Sequence, residues 1–152
     1  MKKVVQAVVL FLAAIGFSAA ALADDAANTK DKEKLQGTWQ AVSGEKEGKD
    51  DPEASKHSLV FDGDKFMIKR GDNVFVQGTF KIDASKSPKT MDIDITEGPD
   101  NVKGKKAEAI YALDGDDLSW CVAEPGSADR PEKLGTKEGE KHMLVKLKRE
   151  KK

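Results

Sequence analysis

TMDIDIT, at residues 90–96, is the stretch of this sequence that decides its fold class. Its apolar side chains, Met91, Ile93 and Ile95, fall on every second position, and threonines and aspartates occupy the positions between them. The side chains of a β-strand point alternately to opposite faces. This spacing therefore predicts a strand with one buried face and one solvated face.

The same alternation recurs on both sides of this stretch, through the region 35–149. It predicts eight strands, at residues 38–43, 58–61, 65–69, 74–82, 90–96, 107–113, 117–123 and 142–149. No segment of the region has apolar residues at helical spacing over more than a turn or two. An antiparallel sheet with one apolar face must hide that face, and closing it into a barrel also removes its edges. The predicted fold is all-β, a single eight-stranded antiparallel up-and-down barrel.

Three local patterns refine this prediction. Asp62-Gly63-Asp64 and Asp114-Gly115-Asp116 lie between strands and favour hairpin turns, because Asp-Gly readily adopts the positive φ angles of tight turns. Neither cluster continues into the ligand spacing of a calcium loop. Asp51-Pro52-Glu53 predicts a single helical turn over one barrel end, with Asp51 as its cap. The strand 107–113 is apolar on both parities, so the pattern does not assign its inner face.

Composition excludes several functional classes. The chain has 152 residues, a formal net charge of -1, one Cys and two His. One Cys excludes an internal disulfide, and a structural zinc site would need more thiolates and imidazoles than the chain has. The charge balance argues against binding nucleic acid through bulk positive charge. We expect no cofactor, no metal site and no nucleic-acid partner.

The N-terminus has the pattern of a secretory signal peptide. Two lysines precede an apolar run at 4–17, and a small-residue stretch ends at Ala21-Leu22-Ala23. We expect cleavage of 1–23 and export to the periplasm or the extracellular space, with no stable membrane anchor. Residues 24–34 are polar and lack apolar periodicity, which predicts a flexible lead-in with room for one helical turn near 32–36. The barrel would span 35–149, followed by a charged tail at 150–152.

Residues 35–39 read Leu-Gln-Gly-Thr-Trp. A Gly-x-Trp motif at the start of the first strand resembles the opening of lipocalin-type barrels. This resemblance implies that Trp39 closes one barrel end and packs under a basic residue of the last strand. Arg149 is the matching candidate, because it shares its parity with Val145 and Leu147. A guanidinium plane stacked on the indole would fill the barrel floor while its donors satisfy nearby carbonyls.

A longer ordered set of motifs is similar to an uncharacterised lipocalin-like (calycin-type) domain family that is abundant in planctomycete bacteria. The set comprises residues 35–39, Asp92-Ile-Asp94, Gly104-Lys105, Ala109-Ile-Tyr111, Asp114-Gly-Asp116, Leu118 with Cys121, Arg130-Pro131 and Leu147-Lys-Arg149. Members of that family are often exported and carry no agreed activity. The resemblance therefore implies a fold and a compartment, and it leaves the function open.

The sequence favours a protein that is not an enzyme. It contains no nucleophile elbow, metalloprotease motif, P-loop or dinucleotide fingerprint. Cys121 and His142 are the one pair that could form an activated thiolate, because adjacent antiparallel strands would bring them together on the face away from the core. We favour a buried structural Cys and a surface His, since free Cys commonly packs as a small hydrophobe. We expect no catalytic residue.

Two functional classes remain. In the first, the barrel binds a small apolar molecule in a shallow lumen that opens at the end away from Trp39. In the second, it is a structural or protein-interaction domain of the cell envelope whose own side chains fill the interior. An eight-stranded barrel is just wide enough for either arrangement. The candidate lumen residues are Phe61, Phe66, Phe80, Ile93, Trp120 and Val145. The partner would be an unknown small molecule or an envelope protein, and we expect a monomer.

The connection at 124–141 is long for a compact domain and is rich in glycine, proline and charged residues. Arg130 is its candidate contact residue, since a guanidinium fork can bind a carboxylate or a phosphate. The alternative is that Arg130 pins the loop to the barrel through an ion pair.

Overall fold

The computed structural model describes residues 19–151 of the chain. Within this range the protein has one α-helix, one 3₁₀ helix and nine strands. The elements are α1 (Ala19–Leu35), β1 (Gly37–Lys46), β2 (Lys49–Asp50), the 3₁₀ helix (Pro52–Lys56), β3 (His57–Asp62), β4 (Lys65–Arg70), β5 (Asn73–Asp83), β6 (Lys89–Glu97), β7 (Lys106–Asp114), β8 (Asp117–Ala123) and β9 (His142–Arg149).

The sheet closes into an antiparallel barrel of eight strands, β1 and β3 to β9. Each of these strands pairs with the next in sequence, and β9 pairs back onto β1. The closing register places Trp39 opposite Arg149 at one end and Lys46 opposite Met143 at the other. The two-residue strand β2 only folds back on the end of β1. The predicted barrel is confirmed. The strands β8 and β9 also have the predicted bounds, because the alternating pattern and the turn residues that define a strand are local signals.

The apolar side chains that share one parity along each strand fill the barrel interior. Met91, Ile93 and Ile95 of the stretch TMDIDIT are all buried in one continuous core. The strand whose parity was ambiguous is resolved by the structure: Ala109 and Tyr111 belong to this inner core. Ile110 belongs to a second buried cluster, with Cys121 and Leu144, on the outer side of the barrel. The strand is apolar on both faces because both of its faces are covered.

The predicted flexible lead-in at 24–34 is wrong, because these residues form most of α1. The helix lies across the barrel end that contains the start of β1. Its last residue, Leu35, is fully buried in the core. Polar contacts hold the preceding turns: Lys89 and the Tyr111 hydroxyl donate to Asp31, and the backbone N–H of Ala84 donates to Asn28. A helix held by a few buried polar contacts shows no apolar periodicity, so the pattern that predicts amphipathic helices does not detect it. The proposed signal peptide at 1–23 falls mostly on residues 1–18, which lie outside the described range, and stays a prediction.

Candidate functional site

The end of the barrel at Trp39 is closed, and we call it the floor. The Trp39 side chain is fully buried, and its Nε1–H donates to the Leu35 carbonyl at 2.8 Å. The Arg149 guanidinium carbon lies 4.3 Å from the centre of the indole ring, within the range of a cation–π contact. Arg149 Nη1 donates to the Gln36 carbonyl at 2.8 Å, and Nη2 donates to the Lys34 carbonyl. The two residues that the sequence paired are therefore in contact and tie α1 to the last strand.

A second polar contact seals the floor beneath α1. Asp31 is 6% exposed, and its Oδ2 accepts from Lys89 Nζ at 2.8 Å and from the Tyr111 hydroxyl at 2.9 Å. Burial, the hydrogen bond to Asp31 and the nearby carboxylate charge raise the pKa of Tyr111 far above its usual value. Tyr111 therefore stays neutral and donates. This contact holds the C-terminal half of α1 against β6 and β7.

The opposite end of the barrel holds an apolar cavity of about 250 Å³. Its walls come from β1, β3, β4, β8 and β9, and they include Ala41, Leu59, Ile68, Trp120, Val145 and Leu147. Its rim carries Lys46, Glu53, His57, Phe75 and Met143. Half of the Phe75 side chain is exposed there, and its ring lies 5.9 Å from that of His57. The cavity is thus an apolar space with a charged and aromatic entrance.

The 3₁₀ helix forms one side of the entrance. The Asp51 carboxylate accepts from the backbone N–H of Glu53 at 3.1 Å, and Pro52 occupies the first turn, so the predicted helical turn is confirmed. The helix packs tightly on β1 at Gly44. A Cβ built on Gly44 would lie 2.2 Å from the Ala54 Cβ, so only glycine allows this approach. The rim is therefore built on a rigid element.

All six predicted lumen residues are buried, but they do not form one surface. Trp120 and Val145 line the cavity. Phe61, Phe66, Phe80 and Ile93 instead fill the remainder of the interior, and the rings of Phe61 and Phe80 meet edge to face at 4.8 Å. The cavity therefore occupies only part of the lumen. Parity alone identifies inward residues and does not tell which of them leave space.

Several cavity residues were missing from the predicted lumen set. Ala41 and Leu147 face each other across the β1–β9 pair, and the small Ala41 side chain leaves room above the floor. Ala41 has the same parity as Trp39, so its inward orientation was available from the sequence. The contribution of Phe75 could not be predicted from the sequence, because its parity is that of the outer face and it reaches the cavity only at the rim.

One residue of the cavity wall, Trp120, has a buried polar atom. The residue is 7% exposed, and its Nε1–H is buried without a hydrogen-bond acceptor among residues 19–151. Buried donors of this kind are uncommon, because an unpaired donor loses its water without compensation. The donor lies on a side chain that borders the cavity.

The 124–141 loop packs on the outside of the barrel, away from the cavity walls. Pro131 is fully buried, and the loop covers the outer cluster of Ile110, Cys121 and Leu144. Arg130 donates to the Ala109 carbonyl at 2.8 Å and pairs with Asp92. Its second carboxylate partner is Glu108, at 3.5 Å. The Arg130 fork thus contacts the barrel itself, as in the pinning alternative, and Arg130 also borders a surface depression beside Pro88 and Thr90.

Cys121 and His142 are not an activated pair. Cys121 is fully buried under the loop, where its Sγ donates to the Gly135 carbonyl at 3.7 Å, and burial raises the pKa of the thiol. His142 Nε2 donates to the Asp129 carbonyl at 2.9 Å, and Nδ1 lies 3.5 Å from the Glu140 carboxylate. A protonated thiol under a covering loop is a poor nucleophile. His142 instead helps to fasten the loop.

The described part of the chain offers no group of three or more His, Cys, Asp or Glu side chains arranged to hold a metal ion. Nor does it contain a helix with the length and apolar character needed to cross a bilayer. No protein-family model matches the chain, and a search of the curated proteins found no match. The geometry of the cavity is therefore the basis for a functional proposal.

Proposed function

We propose that this protein is a small-molecule binding module, without enzymatic activity, whose barrel takes one modest apolar ligand. The observation that carries the proposal is the apolar cavity of about 250 Å³ at the end opposite Trp39. Apolar cavities in proteins hold apolar guests readily, because water gains few hydrogen bonds inside them. The closed floor and the packed remainder of the lumen leave the rim as the entrance.

The cavity volume limits the size of the ligand. A protein cavity of about 150 Å³ can hold one benzene molecule. Sites for drug-sized ligands usually measure about 300–1,000 Å³. A space of about 250 Å³ lies between these limits and suits a single ring with a short substituent, or an alkyl chain of similar volume.

The compartment and the family belong to the same proposal. The signal-peptide pattern at 1–23 supports export to the periplasm or the extracellular space, where a monomeric barrel would bind its ligand. The Gly-x-Trp motif and the contact between Trp39 and Arg149 support a lipocalin-like barrel.

An interaction domain of the cell envelope is the alternative function. It is favoured by the exposed side chains of Val74 and Phe75 next to the entrance, since exposed apolar groups of this size often mark contact surfaces. Native mass spectrometry of the protein purified from its own envelope distinguishes the two functions. A bound small molecule supports the first function, and a bound protein supports the second.

A filling substitution tests the cavity directly. Ala41→Ile places three additional carbon atoms in the cavity wall and should abolish binding of toluene. Binding is measured from the NMR chemical-shift changes of the methyl groups around the cavity. Val42→Ile is the matched control, because Val42 is adjacent in sequence but 49% exposed. The proposed site would be refuted if toluene did not bind the unmodified protein. Equal affinity of toluene for Ala41→Ile and Val42→Ile would also refute it.

A further inference from the structure

We propose that the ligand is an anionic amphiphile, whose apolar body fills the cavity and whose carboxylate stays at the entrance beside Lys46. The inference rests on the proposed function, because it assigns a ligand class to the same cavity. It adds a charge requirement to a site that otherwise selects only for size and apolar character.

The lining of the cavity is divided into an apolar part and a polar part. Its walls are largely hydrocarbon side chains such as Leu59, Ile68 and Val145. A polar group among these walls would lose its water without compensation, so a ligand that fills the cavity leaves its polar end at the entrance. Among the described residues, the polar ones that border the cavity all lie in the segment 46–58, along one side of the entrance: Lys46, Asp51, Glu53, His57 and Ser58.

The carboxylates of this segment already have partners. Asp51 accepts from the backbone N–H of Glu53 at 3.1 Å and lies 3.7 Å from the Lys46 ammonium group. Glu53 accepts from Lys56 at 2.8 Å and from Arg70 at 3.1 Å. These ion pairs contain three cations and two carboxylates, so as a group they favour an anion over a cation.

Lys46 is the donor that stays available for a ligand. Its Nζ lies 3.7 Å from Asp51 Oδ2, too far for a hydrogen bond, and it has no other acceptor among residues 19–151. Lys46 and Asp51 both border the cavity, which places the ammonium group beside the entrance. The Lys46 side chain is 59% exposed, so an incoming carboxylate can approach it without displacing a group of the protein. His57 differs, because its Nδ1 already donates to the Glu53 carbonyl at 3.0 Å.

The single ammonium group also selects the kind of anion. A carboxylate carries one negative charge, which one ammonium group balances, whereas a phosphate monoester carries nearly two. The cavity of about 250 Å³ limits the apolar body to one ring with a short chain, or to an alkyl chain of similar volume. The ligand class is thus a small aryl- or alkyl-carboxylate.

Two probes of nearly identical shape test the charge requirement. Hydrocinnamate carries a carboxylate, and hydrocinnamamide carries a neutral amide in the same position. Their affinities are measured at neutral pH and low salt, where exposed ion pairs are least screened, for the unmodified protein and for Lys46→Met. The ratio of the affinity for the acid to that for the amide should be about fivefold higher in the unmodified protein, the effect of one partly exposed ion pair. Comparing ratios removes the different hydrophobicities of the two probes.

Lys49→Met is the matched control. Lys49 lies opposite Lys46 in the β1–β2 pair, so its replacement changes the charge near the entrance by the same amount. Lys49 is exposed and is not part of the cavity lining. The affinity ratio in Lys49→Met should therefore stay within about twofold of that in the unmodified protein, because a distant exposed charge is screened by solvent.

The orientation of the bound acid provides a second readout, which needs no variant. Nuclear Overhauser effects should connect the ring protons of hydrocinnamate with the methyl groups of Leu59 and Val145 in the walls. The methylene group next to the carboxylate should instead contact the methyl group of Met143 at the rim, which lies opposite Lys46 in the β1–β9 pair. The reverse orientation, with the carboxylate among the walls, would overturn the inference.

The other outcomes separate this inference from the proposed function. Equal affinity ratios in the unmodified protein and in Lys46→Met, or an equal fall in both lysine variants, would overturn the role of Lys46 and leave the binding function intact. Tighter binding of the amide than of the acid to the unmodified protein, or binding of toluene without binding of the acid, would overturn the ligand class. Failure of both probes and of toluene to bind would overturn the binding function itself.

Discussion

The contact between Trp39 and Arg149 can be tested with a double-mutant cycle. Trp39→Ala removes a fully buried indole and its hydrogen bond to Leu35, and we expect it to lower the free energy of unfolding by about 3–5 kcal/mol, as other aromatic truncations in cores do. Arg149→Ala removes the ring contact, worth about 1 kcal/mol, and two hydrogen bonds to carbonyls of about 1 kcal/mol each. The expected loss is therefore about 2–3 kcal/mol.

The two losses should not add. The ring contact, at 4.3 Å, disappears in either single variant and can be lost only once. The double variant should therefore be about 1 kcal/mol more stable than the sum of the two losses implies. Urea denaturation of the four proteins, followed by circular dichroism, provides the free energies. An interaction energy below about 0.3 kcal/mol would mean that the two side chains contribute independently to stability. The contact between them would then not stabilise the floor.

Two controls make the cycle specific. Arg149→Lys keeps the positive charge but loses the planar stack and the fork, so it should retain little of the interaction energy. Arg70→Ala removes an arginine whose ion pair with Glu53 is exposed on both sides. It should change the free energy of unfolding by no more than about 0.5 kcal/mol, because exposed ion pairs contribute little.

Three further predictions concern the polar contact under α1 and the thiol under the loop. Asp31→Ala should cost about 2–3 kcal/mol in urea denaturation, because it leaves the buried Tyr111 hydroxyl without its acceptor, and a cost near zero would mean that α1 is not held there. The raised pKa of Tyr111 should make the protein less stable above about pH 10, because only the unfolded chain ionises the phenol there. Urea midpoints measured from about pH 9 to pH 11 should show this loss of stability, and Tyr111→Phe should reduce it. Thiol reagents should label native Cys121 slowly, and Arg130→Ala should accelerate labelling by releasing the loop, whereas fast labelling of the unmodified protein would contradict the burial of Cys121.

The strands and turns could be predicted from the sequence because their signals are local. TMDIDIT and the matching stretches place apolar side chains on one parity, and Asp-Gly pairs mark hairpin corners, so each strand is readable without knowledge of its neighbours. Barrel closure followed from a general requirement, that one apolar face be hidden and no edge be left open. The pairing of Trp39 with a basic residue of the last strand was implied by the resemblance of the Gly-x-Trp motif to lipocalin-type openings, and parity selected Arg149.

The helix and the outer cluster depended on tertiary contacts. The segment 24–34 has no apolar stripe, and α1 is held through single polar contacts such as that between Asp31 and Lys89, which lie 58 positions apart. The outer cluster of Ile110, Cys121 and Leu144 exists because a loop from elsewhere in the chain covers it. Neither arrangement has a periodic signal, since the partners are brought together only by the closed barrel.

Outside the strand 107–113, the sequence by itself determined which residues point inward, and the tertiary structure decided which of them leave space. The parity of Trp120 follows from the alternation along its own strand, but its unpaired N–H depends on what the neighbouring strands place around the ring. The cavity beside it likewise depends on the volumes that several strands bring to one side of the barrel. Periodicity is a property of one segment of chain, whereas a cavity and an unpaired donor are properties of the space between segments.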